Sequence, residues 1–226
     1  MPISEKTVNF LFENRVVDSK TWFTEHRAEY ESLVLEPMRE LVTLLKPTML
    51  SIDPQLICEP KVGRSISRIY RDTRFSNDKS TFRDVMWCVF SRDKKLYDGL
   101  PCYWFEFSPK GFRYGCGYYQ ASGESMEALR SLILNDDKSF KTALKAFKKQ
   151  SVFQMEGMKY KRSRYPEQPE EKREWLDRKS FGFITESTDF DLLFSDGLAD
   201  KLAQDFTLLT PMYDFMMSAE ARVLKR

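Results

Sequence analysis

Apolar residues recur every three or four positions through the first fifty residues. Trp22, His26, Tyr30, Leu33, Pro37, Leu41 and Leu44 share one stripe, the period of an amphipathic helix. A short helix is predicted over 7–13, and Asp18 and Ser19 supply N-cap oxygens for the longer one that follows. Pro37 either kinks that helix or opens a new one at its first turn, and Pro47 is expected to end it. Residues 48–62, with Pro54 and Pro60, read as a connection. The pattern then shortens to that of strands, predicted over 65–70, 85–91, 102–107 and 112–119. Residues 85–90 are continuously apolar, which predicts a central strand covered on both faces. Asp98, Gly99 and Pro101 break it from the next strand.

Helical spacing returns at 125–134 and 140–149. Glu156 and Gly157 lie between short runs ending at Met155 and starting at Met158, the signal of a small hairpin. Pro169 and the acidic run after it open a helix ending near Arg178, 180–185 reads as a short strand, and 197–224 is helical with a break at Pro211. There is no repeat, low-complexity tract or obvious linker. The expectation is a single α+β domain over 1–226, a mainly antiparallel sheet flanked by an N-terminal helical arm and C-terminal helices.

Strand alternation sorts the 102–119 hairpin by face. Ser108-Pro109-Lys110-Gly111 is a four-residue loop with proline and glycine at turn positions. Pairing Phe107 with Phe112 sets Glu106 opposite Arg113 and Trp104 opposite Gly115. Tyr103, Phe105, Phe107, Phe112, Tyr114, Cys116 and Tyr118 then face the core. The other face carries Cys102, Trp104, Glu106, Arg113, Gly115, Gly117 and Tyr119. Two readings of its glycines stay open: a helix packed upon them, or the floor of a pocket edged by Glu106 and Arg113.

Composition narrows the classes. The chain has 226 residues, 42% hydrophobic and 31% charged, with 36 basic and 34 acidic side chains and a net charge of +2. That is a globular protein without a strong overall pull toward polyanions. The start lacks the apolar core of a secretory signal, and no apolar run is long enough for a bilayer, so a cytoplasmic protein with no membrane partner is expected. Cys58, Cys88, Cys102 and Cys116 lack metal-ligand spacing and are expected as free thiols. The single histidine, His26, excludes sites needing two imidazoles, and its place on the helix stripe reads as packing. The common nucleotide fingerprints are absent and no cofactor is expected; no metal is expected either, although Asp72 and Asp78 could hold a hard cation with water. From 138 to 164 there are nine Lys/Arg against Glu156 alone, with Lys138, Lys141, Lys145 and Lys148 on one helix face. An acidic stretch from 167 to 205 could compensate them, and nucleic acid stays open as a partner.

One segment concentrates chemistry. Residues 68–83 hold Arg68, Arg71, Arg74, Lys79 and Arg83 with Asp72 and Asp78, and Phe75 and Phe82 between them. No regular helix or strand face exposes all of these charges, so an ordered loop is expected, tied by ion pairs in which at least one aspartate meets an arginine in buried surroundings. Three guanidiniums suit forked recognition of phosphate or carboxylate, with Lys79 a mobile point charge. The same aspartates, with Glu106, could instead satisfy the arginines internally as a structural network.

Arg68, Arg71, Asp72, Arg74, Phe75, Asp78, Lys79 and Phe82 match the motif R-x-x-R-D-x-R-F, then D/N-K and an aromatic. In this the chain resembles the family called domain of unknown function 2461. The early N-F-L-F and T-W-F segments, the G-C-G-Y-Y run and the K-S-F run near 180 resemble it too, so the likeness covers most of the chain. Thr81-Phe82 stands where that family usually has Pro-Tyr, which puts in doubt any role for a hydroxyl there. The resemblance implies a fold and a hot segment, and no reaction. The leading expectation is a small anionic or phosphate-bearing ligand, bound and perhaps turned over, at Arg68, Arg71, Asp72, Arg74, Asp78 and Lys79, beside Trp104, Glu106 and Arg113. The alternative is a non-enzymatic interaction module, its arginines structural and its basic helix at 138–149 contacting nucleic acid or an acidic protein.

Overall fold

The computed structural model describes residues 2–93 and 99–224; Asp98, placed in the break before the second strand, lies outside them. The protein is α+β, with an antiparallel sheet of five strands in the order β1-β2-β3-β5-β4. These are β1 (Met86–Phe90), β2 (Cys102–Ser108), β3 (Gly111–Gly117), β4 (Gln154–Glu156) and β5 (Gly182–Ser187). The described residues form two compact units: Met1–Phe90 with Trp104–Tyr114 and Glu186–Gln204, and Ser91–Tyr103 with Gly115–Thr185 and Asp205–Arg226.

The first unit opens with α1 (Glu5–Val17), longer than the pattern predicts because Ser4 and Thr7 close a capping box. Asp18 ends α1 in the left-handed conformation at φ 46°. Ser19 caps α2 (Lys20–Glu25), and α3 (Arg27–Tyr30) runs into a π-helical turn, Glu31–Leu35, then α4 (Glu36–Ile52). That wide turn moves the apolar stripe. Val34, Met38, Leu41, Val42, Leu45 and Met49 are buried, whereas Leu44, expected on the stripe, is exposed. Pro37 sits in the first turn of α4, but Pro47 lies inside the helix and does not end it. Its ring occupies an exposed position, and the helix continues to Ile52.

Residues 65–70 are bridges rather than a strand: Ile66 pairs with Cys88, and Tyr70 with Phe82. This segment also corrects the reading of β1, which stands at one end of the strand order and is not central. Its outer edge is covered by residues 65–67, through Ser67 N–H to the Trp87 carbonyl and Val89 N–H to the Ser65 carbonyl, 2.9 and 2.8 Å. A covered edge explains an apolar sequence where an open one would carry charge.

The second unit contains α5 (Gly123–Leu134), α6 (Lys138–Phe147), α7 (Glu170–Leu176) and α10 (Thr210–Val223). Phe140, Phe147, Phe181, Phe183 and Phe215 pack around Trp175 with ring centroids 5.5–5.9 Å away. The expected hairpin at Gly157 does not form. Met155 in β4 pairs with Phe183 in β5, and after the turn Lys159 bridges Arg178. The short helix α8 (Phe190–Leu193) belongs to the first unit, and α9 (Leu198–Leu208) contributes residues to both.

Candidate functional site

Burial alternates along β2 with Tyr103, Phe105 and Phe107 inside, and Phe112, Tyr114 and Cys116 are buried on β3. Arg113 Nε donates to Glu106, as the hairpin register requires, and its guanidinium carbon lies 5.4 Å from the Trp104 ring. A second carboxylate, Glu186, stands 3.7 Å from Arg113. Around them an open groove of about 350 Å³ is lined by Glu106, Lys110, Arg113 and Glu186 together with turn residues of β2–β3 and the end of β5. It includes neither Trp104 nor any residue of 68–83, so the nine expected residues do not line one cavity.

Both earlier readings of the glycine face are overturned. A Cβ on Gly115 would stand 2.1 Å from the Phe183 carbonyl oxygen, and one on Gly117 would stand 2.4 Å from the Gly182 Cα. The backbone of β5 fills that space. The glycines admit a neighbouring strand, not a helix or a ligand.

The 68–83 segment is ordered from both ends. Phe82 is fully buried, its ring 4.9 Å from Phe23 and 5.0 Å from Tyr70. A bare phenyl ring is what this packing uses. Asp18, at the left-handed end of α1, accepts from the amides of Thr81 and Phe82 at 2.8 and 3.0 Å. Asp78 accepts from Arg71 at 2.5 Å, from Arg15 at 2.7 Å and from the Ser80 hydroxyl at 2.6 Å. Asp72 holds Arg74 in a fork, Nε at 2.9 Å and a terminal nitrogen at 2.7 Å. Both aspartates therefore bond arginines of the segment, but in solvent: the Asp72 and Arg74 side chains are 58% and 76% exposed. The bonds to Arg74 hold the Asp72 carboxyl down at about 2. Ser80's hydroxyl and amide hold Asp78 lower still, with the Arg15 and Arg71 charges adding to the effect.

Among the described residues the remaining cations have no carboxylate partner. Arg68 is exposed, with no ion pair or side-chain hydrogen bond among the described residues. Lys79 Nζ donates only to the Thr73 carbonyl, at 3.0 Å. Arg83 donates to the Tyr70 carbonyl at 2.7 Å and lies 4.4 Å from the Trp87 ring. Its Nε is shielded from solvent without a partner, and burial first, then the Arg71 charge, push its pKa down. Six cations, counting Arg15, thus meet two ion-paired carboxylates; of the two further acids, Asp18 accepts from backbone amides and Asp84 forms no ion pair among the described residues.

Arg15, Asp18 and Arg83 are the site residues that spacing misses. Arg15 and Asp18 act across 63 positions of chain, beyond any local pattern. His26 stacks on Trp22 at 4.0 Å, with Nδ1 2.8 Å from the Trp22 carbonyl, a packed histidine. The four cysteines are free, and burial pushes Cys58 up to about 11 and Cys88 up to about 12. Among the described residues no group of three or more His, Cys, Asp or Glu is placed to hold a metal, and no helix is long and apolar enough to cross a membrane.

The fold and this charge-knotted loop define an α+β protein whose distinguishing feature is an arginine-rich segment between two aromatic anchors. A family profile described as "Conserved hypothetical protein (DUF2461)" matches residues 6–215, and the chain belongs to that family. No curated protein matches it.

Proposed function

We propose that the 68–83 segment binds a small phosphate-bearing anion. The observation that carries this reading is the uncompensated charge: Asp78 is shared between Arg15 and Arg71, while Arg68, Lys79 and Arg83 meet no carboxylate among the described residues. Clustered cations repel one another, and a dianion among them relieves that repulsion while accepting charge-assisted hydrogen bonds. Arg71 and Arg74 are engaged internally and shape the loop, with one terminal nitrogen of Arg74 left over from its fork on Asp72. Arg68, Lys79 and Arg83 supply the free donors.

A thermal-shift series with phosphate esters tests this. A ligand that binds only the folded state at a hundredfold excess over Kd stabilises it by about 2.7 kcal/mol. The melting temperature should rise with millimolar sugar phosphates or nucleotides in the wild type, and not in an Arg68→Ala, Lys79→Ala double variant. Both positions are exposed, so that variant keeps its fold. A wild type unmoved by nucleotides, sugar phosphates and carboxylates would sink the reading.

One observation favours a second function, interaction through α6. Among the described residues Lys138, Lys141 and Lys145 are exposed with no ion pair, while Lys148 is paired to Glu171. Such a face suits an acidic protein or nucleic acid and would show steep salt dependence.

A further inference from the structure

The tip of the 68–83 segment carries an aromatic ring for which the fold has no use. Residues 73–76 form a tight turn closed by the Ser76 amide on the Thr73 carbonyl, at 3.3 Å. Arg74 and Phe75 occupy its two central positions, where side chains project away from the chain. Phe75 is 96% exposed. Phe82, seven residues on in the same segment, is fully buried and anchors it. Phe75 forgoes all of that burial, and the loop is already fixed by Phe82, Asp18 and Asp78. Cations border the ring: the Arg74 guanidinium carbon is 5.8 Å from its centroid, and Lys79 Nζ is tied to the carbonyl that closes the turn.

We infer that Phe75 is a stacking platform for a nucleobase whose phosphate is held by the neighbouring cations. This rests on the anion-binding reading above and names the class of anion. A flat, exposed π-face accepts any planar base, and Arg74 beside it both lies against the ring and reaches a phosphate with the terminal nitrogen that Asp72 leaves unused. Asp and Glu side chains bring no aromatic face to the ring, and neither does inorganic phosphate or a sugar phosphate. The shared chemistry, a base joined to phosphate, occurs in a free nucleotide and in a single strand of nucleic acid.

Equilibrium binding on the full chain tests the assignment with four probes: ADP, inorganic pyrophosphate, an adenylate hexamer and phosphatidylserine vesicles. Stacking one base should make ADP bind about tenfold tighter than pyrophosphate. Phe75→Ala should erase that difference without weakening pyrophosphate. Phe75→Trp should restore it, with indole fluorescence quenched by ADP but not by pyrophosphate. A hexamer binding tighter than ADP and dependent on Phe75 would assign the strand as the source; equal affinities would assign the free nucleotide. Pyrophosphate and ADP binding equally, or a preference that survives Phe75→Ala, would overturn stacking while leaving anion binding intact. Binding of neither would remove both readings. Phe75-dependent binding to the vesicles, with no preference for ADP, would assign the ring to a membrane surface and overturn the nucleobase.

Discussion

Arg71 and Arg74 in the first unit direct their guanidiniums at carboxylates in solvent. Arg130 and Arg178 in the second unit bury theirs against backbone carbonyls. Arg130 is 8% exposed and donates to the carbonyls of Leu176 and Arg178 at 3.1 and 2.8 Å. Arg178 donates to those of Glu174 and Gly157 at 3.2 and 2.9 Å. In the first arrangement the partner is an exposed charge, and water or a competing anion can replace it at little cost. In the second the hydrogen-bond partners are mainly backbone carbonyls that have nowhere else to turn, with the Glu174 carboxylate 3.9 Å from Arg178. The same residue type therefore does two jobs: the arginines paired to carboxylates keep an exchangeable loop in shape, and the buried ones fasten a polar stretch of chain onto a helix.

The sharpest way to break that contrast is to remove a buried guanidinium. Arg130→Met keeps the length and apolar stem of the side chain but strips two buried carbonyls of their donor. We expect a loss of about 2–4 kcal/mol in urea denaturation, with proteolytic nicking between residues 157 and 179. A loss below about 0.5 kcal/mol, the range of ordinary surface substitutions, would show that these bonds are replaced by water.

Next in size is Asp18, the link between α1 and the loop. Asp18→Ala leaves the amides of Thr81 and Phe82 without an acceptor and puts a β-carbon residue less suited to left-handed backbone at φ 46°. The expected cost is about 1–3 kcal/mol. Asp18→Asn keeps an acceptor oxygen and tolerates that conformation, so it should recover more than half of the loss. Equal effects of the two variants would assign Asp18's role to its charge rather than to the two amides.

The contrast also explains what was legible in the residues alone. The Glu106–Arg113 pair could be read because a four-residue loop locks the register, and one pairing fixes the rest. The aspartate–arginine pairs at 72–78 could be read because their partners lie within seven positions. Arg130, whose carbonyl partners are 46 and 48 residues away, carries no such signal, since backbone acceptors have no side-chain identity to recognise. Asp18 was read as a helix-start residue, and it sits instead at a helix end with its carboxylate turned to a distant loop. The helical arm was legible from its period, but the π-helical turn at 31–35 shifted the stripe, and the covered edge of β1 imitated a central strand. Burial of the Asp72 pair was misjudged because its sequence neighbours say which groups meet, not how much water surrounds them.

The smallest expected effect lies in the exposed carboxylates, and acid titration reads it. Asp72 is held at about 2 by its bonds to Arg74, and Asp78 below it by Ser80, Arg15 and Arg71. A carboxyl depressed in the folded chain favours the folded state only while it is ionised. Its contribution is whole above the unfolded carboxylate value of about 3.9 and disappears as pH falls through the folded one. Between pH 5 and 8 the loop's aspartates should therefore leave stability flat, and any erosion should begin near pH 4, reaching about pH 2 for Asp72 and continuing below it for Asp78. Both groups lie in solvent, so Asp72→Ala should leave the denaturation midpoint at neutral pH where the wild type has it. Carboxyl carbon chemical shifts followed by NMR give the site-by-site check. Asp78 should titrate below Asp72, and Ser80→Ala should raise Asp78 more than Arg15→Ala does, because the hydroxyl bond it removes outweighs the guanidinium's charge, while the amide bond stays. If Arg15→Ala moved Asp78 further, the loop would be held chiefly by its tie to α1, and the distinction between exchangeable and fastened arginines would narrow to a matter of exposure alone.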